Sequence, residues 1–182
     1  MAKLISKTYG DALYELALER DMIDSWTEEV HVLIKILSEN TDFTKLMNHP
    51  KIVREEKEEI MERVFKGKMA DELTGFLKIM IANDRYADVI PTLEYYISRV
   101  KELKHIGIAY ITTAVPMNEI QKSDIRQRLI ETTQYVEMEM NYEVDADIIG
   151  GIVIRIGDRV VDSSIRTKLY ELSKDLLKIQ LN

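Results

Sequence analysis

The sequence has no cysteine among its 182 residues, which excludes disulfide bonds, thiolate catalysis and metal sites with cysteine ligands. Glycine (7) and proline (3) are scarce, and a chain with few turn-forming residues is expected to be rich in helices with short connections. No run of about 18 apolar residues occurs, which is the length needed to cross a bilayer. The first residues carry no apolar core of signal-peptide length. We therefore expect any membrane association to be indirect, through another protein.

The chain also has fewer basic residues than acidic ones. The chain has 25 Lys and Arg against 32 Asp and Glu, a formal net charge of −7. That balance disfavours broad attraction to nucleic acid or to an anionic membrane surface. The hydrophobic fraction of 46% and the charged fraction of 31% are those of an ordinary globular protein. The composition predicts a packed fold with no nucleic-acid partner.

The first part of the chain, from residue 4 to about residue 104, has the apolar spacing of helices that bury one face. Asp24 or Ser25 is expected to cap the second helix. His49 precedes Pro50 and should end the third, while Gly67 can end the fourth in a left-handed conformation. The six predicted helices lie around 5–17, from 24 or 25 to 37, around 43–47, and at 54–66, 69–83 and 87–104.

After Lys104 the pattern changes, which marks the predicted boundary between a first domain, 1–104, and a second, 105–182. Residues 106–113 are rich in β-branched side chains and predict a strand. Asn118 and Gln121 have the spacing of a capping box at the start of a helix.

Two further strand signals and a helix complete the second domain. Residues 136–144 alternate between apolar side chains, from Val136 to Val144, and acidic or polar ones, which predicts a half-buried strand. A second strand signal, 149–156, leads into the turn signal Gly157-Asp158 and then Val160-Val161, as in a hairpin. The last helix is expected to be capped by Asp162 or Ser163, and its apolar face carries Ile165, Leu169, Leu172 and Leu176. The predicted fold class is α+β, a six-helix bundle followed by a small α/β module.

No residue pattern predicts catalysis. His31, His49 and His105 lie in different elements and lack the partners that a metal site needs. Gly150-Gly151 precedes a strand, whereas a phosphate-binding loop follows a strand and opens a helix. Ser163-Ser164 has no adjacent base, and a helix cap explains these serines better. We predict no catalytic residue, no cofactor and no metal ion.

The fifth helix has more apolar residues than one buried stripe requires. They are Leu73, Phe76, Leu77, Ile79, Met80, Ile81 and Ala82. Either this helix is the centre of the bundle, or it also lines a groove that accepts a partner helix. The two interpretations are compatible.

Four stretches, taken in order, resemble one family over nearly the whole chain. Residues 9–13 (YGDAL) are similar to an opening Tyr-Ala-x-Ala-Leu with glycine in the second place, and residues 83–85 (NDR) to Asn-x-Arg. Residues 113–117 (TAVPM) are similar to Ser-Ala-x-Pro-Leu. The most specific stretch is 149–162 (IGGIVIRIGDRVVD), followed by Ser164 and Arg166. Together they resemble the delta subunit of bacterial F-type ATP synthases, which is related to the mitochondrial oligomycin-sensitivity-conferring protein.

The resemblance implies a non-catalytic stator subunit at the cytoplasmic face of the bacterial membrane. It would link the catalytic head to the membrane-anchored stalk, so that rotation driven by ion transport, such as hydrogen ion transport, is coupled to ATP synthesis. Residues 1–104 would bind alpha subunits of the head, with beta subunits as further candidates. Residues 105–182 would hold the C-terminal ends of b-type stalk subunits.

The resemblance also implies particular residues. The groove between the first and fifth helices would receive an N-terminal helix of an alpha subunit. Its residues, carried over by position, are Tyr9, Ala12, Leu13, Leu77, Met80 and Ile81. The glycine-rich stretch is expected to specify the fold, through Gly150, Gly151, Arg155, Gly157, Asp158 and Asp162.

Two alternatives remain open from the sequence alone. One is a small α/β ligand-binding or transferase domain that uses Gly150-Gly151 and Asp158, which phosphorylated ligands would stabilise. The other is a soluble adaptor with a helix-binding groove, which differs from a stator only in its partner.

Overall fold

A computed structural model describes the backbone of residues 2–180 and the side-chain surroundings of residues 4–177. The chain divides into two compact units, Met1–Lys101 and Glu102–Asn182. Within the described residues there are eight α-helices and one four-stranded sheet, so the fold class is α+β, as the sequence predicted.

The first unit is built from helices only. They are α1 (Ala2–Glu19), α2 (Ile23–Glu39), α3 (Thr41–Met47), α4 (Arg54–Phe65), α5 (Asp71–Ala82) and α6 (Val89–Leu103). A 3-10 turn, Tyr86–Asp88, connects α5 to α6. The predicted helices and the observed ones agree to within a few residues, which is the usual precision of helix ends.

The start of α2 differs from the prediction. The helix begins at Ile23, and neither Asp24 nor Ser25 caps it. The backbone carbonyl of Met22 already accepts the N–H of Trp26 (2.9 Å), so the first turn forms before the predicted caps. Asp24 lies inside that turn, where its negative charge interacts favourably with the helix dipole.

The core of the first unit is one continuous apolar cluster. Trp26, Leu33 and Tyr96 are almost completely buried in it. Helix α5 contributes Leu73, Phe76, Leu77, Met80 and Ile81. These positions follow the i, i+3, i+4, i+7 pattern of one broad stripe, so α5 buries one face, while Ile79 and Ala82 are exposed.

Gly10 lies where α1 and α6 approach each other closely. A Cβ atom on this residue would be 2.5 Å from Cδ1 of Tyr95 and 3.3 Å from the carbonyl oxygen of Thr92. A larger residue would require the Tyr95 ring or the helices to shift, because this contact is tighter than side-chain packing allows. Glycine, in the place where the resembling motif has alanine, avoids this contact.

The second unit contains one sheet with the strand order β2-β1-β3-β4. Its elements are β1 (Ile106–Thr113), α7 (Glu119–Thr132), β2 (Glu137–Val144), β3 (Ile152–Ile156), β4 (Arg159–Asp162) and α8 (Ile165–Gln180). Strands β1 and β2 are parallel and joined through α7, while β3 pairs antiparallel with both β1 and β4. The capping box of α7 is confirmed: the side chain of Asn118 accepts the N–H of Gln121 (2.9 Å), and the Gln121 side chain accepts the N–H of Asn118 (3.0 Å).

One face of the sheet holds the second core. Ala109, Ile111 and Met138 are buried there, with Ile125 and Leu129 of α7 packed against them. The alternation in β2 is confirmed from Met138 to Tyr142, where buried Met138 and half-buried Met140 and Tyr142 lie between exposed polar residues. It fails at the ends, since Val136 (73% exposed) precedes the strand and Val144 (52%) is its last residue.

Candidate functional site

The described residues carry no arrangement typical of catalysis. Within them, no group of three or more His, Asp or Glu side chains could hold a metal ion. All three histidines are exposed, and Nδ1 of His49 only accepts the backbone N–H of Lys51 (3.2 Å). Among residues 2–180, no helix is both long and apolar enough to cross a membrane. The candidate sites are therefore binding surfaces and the packing that positions them.

The cap of α8 is formed by Ser164, which directly follows the predicted caps Asp162 and Ser163. Its buried hydroxyl accepts the N–H of Thr167 (3.2 Å), as an N-cap does. Asp162 supports this turn by accepting the N–H of Ser164 (2.8 Å) and the hydroxyl of Thr167 (2.8 Å). These hydrogen bonds, that of the Ser164 backbone first, lower the pKa of Asp162. The serines thus have a structural use and no adjacent base.

The two adjacent glycines lie against this cap. Gly151 has φ of +81°, and a Cβ atom there would be 2.4 Å from the carbonyl oxygen of Ser163. The carbonyl of Gly150 accepts the N–H of Ile165 (3.0 Å), and a Cβ on Gly150 would meet Cδ1 of Ile165 at 2.7 Å. This stretch leads into strand β3 and approaches the start of α8, so it does not have the geometry of a phosphate-binding loop.

The other predicted fold-specifying residues lie in β3 and the turn after it. Gly157 and Asp158 are the two central residues of the hairpin, because Ile156 pairs with Arg159. Gly157 has φ of +55° at the first of these positions, which is the glycine position of a type II′ turn. The guanidinium of Arg155 lies 4.5 Å from the ring centre of Tyr110 on the neighbouring strand.

The six predicted groove residues fall into two groups. Leu13, Leu77, Met80 and Ile81 are at most 3% exposed and belong to the core of the first unit. Tyr9 is half-buried against that core, and Ala12 is exposed. The four buried side chains can therefore shape a groove only from beneath, because they present almost no surface to a partner. On α5 the exposed apolar side chains are Ile79 (53%) and Ala82.

Helix α1 is held in place by polar contacts with α6 that the sequence motifs did not indicate. The hydroxyl of Tyr95 donates to Oδ1 of Asp11 (3.0 Å), and Nε of Arg99 lies 3.3 Å from the same oxygen. The Arg99 guanidinium also lies 5.3 Å from the ring centre of Tyr14. Asp11 is the variable position of the opening motif, so the motif itself did not indicate this role. Only the position of Asp11 relative to the side chains of α6 could have indicated it.

Helix α8 exposes its apolar face. Ile165, Leu169, Leu172 and Leu176 are 42%, 53%, 60% and 63% exposed. The steps between them are four, three and four residues, which is the spacing of a coiled-coil seam. Soluble monomers rarely expose such a continuous apolar stripe unless something binds it. We call these four residues the α8 seam.

A comparison with known proteins assigns the chain to a family. The sequence model described as "ATP synthase delta (OSCP) subunit" matches residues 5–176. The chain belongs to this family. A delta subunit of ATP synthase from Lachnoclostridium phytofermentans is 51% identical over 181 residues, which is 100% of both chains. One from Trichodesmium erythraeum is 31% identical over 94% of both.

The fold is shared with one chain of an ATP synthase whose structure has been solved. A chain of the mitochondrial ATP synthase hexamer of Toxoplasma gondii is 14% identical and has a TM-score of 0.74, with 94% of this chain and 97% of that chain covered. Membership of the delta (OSCP) family makes this a structural subunit of the peripheral stalk of F-type ATP synthase and not a catalytic subunit. It also favours the stator over the ligand-binding or transferase domain and over the adaptor.

Proposed function

We propose that this delta-family chain joins two specific partners at the cytoplasmic face of the bacterial membrane. Residues 1–104, as a six-helix bundle, bind the alpha subunits of the catalytic head, with beta subunits as further candidates. Residues 105–182 bind the C-terminal ends of b-type stalk subunits. Such a link keeps the head from turning with the rotor, so that rotation is converted into ATP synthesis.

The α8 seam is the observation that carries the stalk half of this proposal. Four apolar side chains at coiled-coil spacing are exposed along a helix of 16 residues. A seam of this kind is complementary to another helix with the same spacing. A stator must also release its partner slowly, and buried apolar anchors slow dissociation more than exposed ion pairs do.

The head half of the proposal is supported by the surface between α1 and α5 as the family resemblance defines it. Ala12 is exposed on α1 and Ile79 on α5, and Leu13, Leu77, Met80 and Ile81 are buried in the core of the same unit. A small exposed residue on one helix and an exposed isoleucine on the other are suited to an amphipathic helix that inserts apolar side chains. The buried residues then fix the shape of the surface, and the exposed ones make the contact.

The stalk proposal is tested with a synthetic peptide from the C-terminal end of a b-type subunit. Leu172→Asp places a charge in the middle of the α8 seam, and we expect it to weaken peptide binding by at least about 100-fold. Val115→Asp is the matched control, because Val115 is also an exposed apolar residue of the second unit (68%) but lies outside α8. Equal binding by the parent and Leu172→Asp, or equal loss in both variants, would contradict the assignment.

A further inference from the structure

Helix α1 has two sides with different neighbours. Gly10, Asp11 and Tyr14 share the side that contacts α6. Tyr9 and Ala12, which belong to the predicted groove, lie about half a turn away, on the opposite side of the helix. A helix moves as a rigid rod over this length. Any rotation or shift of α1 against α6 therefore also moves the groove residues.

The apolar packing that fixes α1 is small for a helix of 18 residues. Among its described residues, the buried apolar side chains are Leu13 and Ala17. Helix α5 has only 12 residues and buries Leu73, Phe76, Leu77, Met80 and Ile81. Because apolar stabilisation scales with the area removed from water, a leucine and an alanine anchor α1 weakly. Its orientation must depend to a larger extent on other contacts.

The carboxylate of Asp11 supplies such contacts to α6. Its Oδ1 accepts the hydroxyl of Tyr95 (3.0 Å) and lies 3.3 Å from Nε of Arg99. Tyr95 and Arg99 are one turn apart on α6, so both lie on the face that is turned towards α1. A hydrogen bond to a charged acceptor is stronger than one between neutral groups. The Asp11 side chain is 33% exposed, so water screens these contacts only in part.

Two further contacts limit how α1 can turn or slide. The Arg99 guanidinium lies 5.3 Å from the ring centre of Tyr14, which is within the range of a cation–π contact. Gly10 lets the Tyr95 ring approach the backbone of α1, since a Cβ there would be 2.5 Å from Cδ1 of that ring. A rotation of α1 about its axis would break these contacts together. We call Asp11, Tyr14, Tyr95 and Arg99 the α1–α6 latch.

We propose that Asp11 is a positioning residue for the head-binding surface of the first unit. Through the α1–α6 latch it holds α1 in the orientation that presents Ala12 and Tyr9 to the alpha-subunit helix, and it does not contact that helix itself. This inference rests on the proposed function. A protein that populates its binding-competent orientation only in part binds with an affinity reduced by that fraction. Loss of the latch therefore slows association and leaves dissociation unchanged, because the bound state keeps the same contacts.

The test measures the association and dissociation rates of the full chain with a synthetic N-terminal peptide of an alpha subunit, by surface plasmon resonance. Asp11→Ala removes both contacts of the carboxylate and places a better helix former in α1, so a weaker helix cannot account for a loss of binding. We expect the association rate to fall by at least about five-fold and the dissociation rate to change by less than about two-fold.

Glu15→Ala is the matched control, because it removes the same charge from an exposed position one turn further along α1. We expect it to change either rate by less than about two-fold. Tyr95→Phe removes one hydroxyl and no charge, and should slow association by about two-fold or more. Combined with Asp11→Ala it should add nothing, since the hydroxyl then has no carboxylate to bind. Tyr95→Phe also carries the test if Asp11→Ala does not fold.

The outcomes separate this inference from the proposed function. If the parent does not bind the peptide, the head-binding function is wrong, and the positioning role is wrong with it. If the parent binds and folded Asp11→Ala associates at the same rate, the positioning role alone is wrong. Faster dissociation at an unchanged association rate would make Asp11 a contact residue and contradict the proposal. An equal loss in Glu15→Ala would also contradict it, because charge alone would then explain the effect.

Discussion

At the scale of single residues, glycines allow the closest approaches in both units. Gly10 leaves room for the Tyr95 ring in the first unit, and Gly151 leaves room for the Ser163 carbonyl in the second. Gly151 also adopts a positive φ, so it meets a conformational requirement and a steric one together. Gly75, in contrast, has no atom within 4 Å of the place where a Cβ would be.

This contrast gives a matched pair of substitutions. We expect Gly151→Ala to lower the free energy of unfolding of the second unit by about 3 kcal/mol, because the new methyl meets backbone and the φ is strained. Gly75→Ala should raise that of the first unit by about 1 kcal/mol, since α5 gains a better helix former without a clash. Denaturant unfolding, followed by circular dichroism and by the fluorescence of buried Trp26, separates the two units. A harmless Gly151→Ala would contradict the packing described here.

At the scale of elements, Glu62 connects two helices. One carboxylate oxygen lies 2.5 Å from Nζ of Lys66 on the α4 side, and the other lies 2.5 Å from Nζ of Lys78 on α5. The hydrogen bonds from Lys66 and then Lys78 lower the pKa of Glu62 from 4.5 to about 2. The folded state therefore holds this carboxylate ionised over a pH range in which an unfolded chain would protonate it.

The stability due to Glu62 should depend on pH in a defined direction. A lowered folded-state pKa gives stabilisation that is fully present above about pH 4.5 and is lost as the pH falls towards about 2. Glu62→Gln should thus be less stable than the parent at pH 7, and the difference should shrink through that window and also at high salt. The control is Glu59→Gln, an exposed residue of the same helix. A pH-independent difference in thermal midpoint would show that the carboxylate is not held ionised in this way.

The elements themselves were largely predictable, because their signals are local. The capping box of Asn118 and Gln121 and the strand 106–113 depend on neighbouring residues, and both were found as predicted. The predicted cap of α2 was wrong, since a backbone hydrogen bond from Trp26 to Met22 begins the helix and Met22 has no capping side chain. The exposure of the α8 seam was not predictable either, because an apolar helix face looks the same whether it packs internally or against a partner.

The predicted groove shows the same limit for the site. Its residues were placed by family position, and position does not distinguish Leu77 and Met80, which are fully buried, from Ile79, which is exposed between them. The class of partner could be predicted from the sequence motifs. The contact surface could not, because it depends on which side chains the fold buries.

At the scale of the whole molecule, the proposal assigns one partner to each unit. Binding of a synthetic N-terminal peptide of an alpha subunit should therefore depend on the first unit alone. We expect Ile79→Asp to weaken it by at least about 30-fold, while Ile36→Asp, an exposed isoleucine on α2, and Leu172→Asp on α8 change it by less than about two-fold. Calorimetric titration of the four proteins measures this, and an equal loss in Ile36→Asp would contradict the proposed surface.

The spacing of the α8 seam has a mechanical consequence. The four positions advance eleven residues in three steps, which is close to the 3.6 residues per turn of a straight helix, so the seam stays on one side of α8 over its length. A partner helix can therefore lie along it without winding around it. The proposed joint with the stalk has no preferred winding sense. A machine that rotates in opposite directions during synthesis and hydrolysis would load such a joint equally in its two modes.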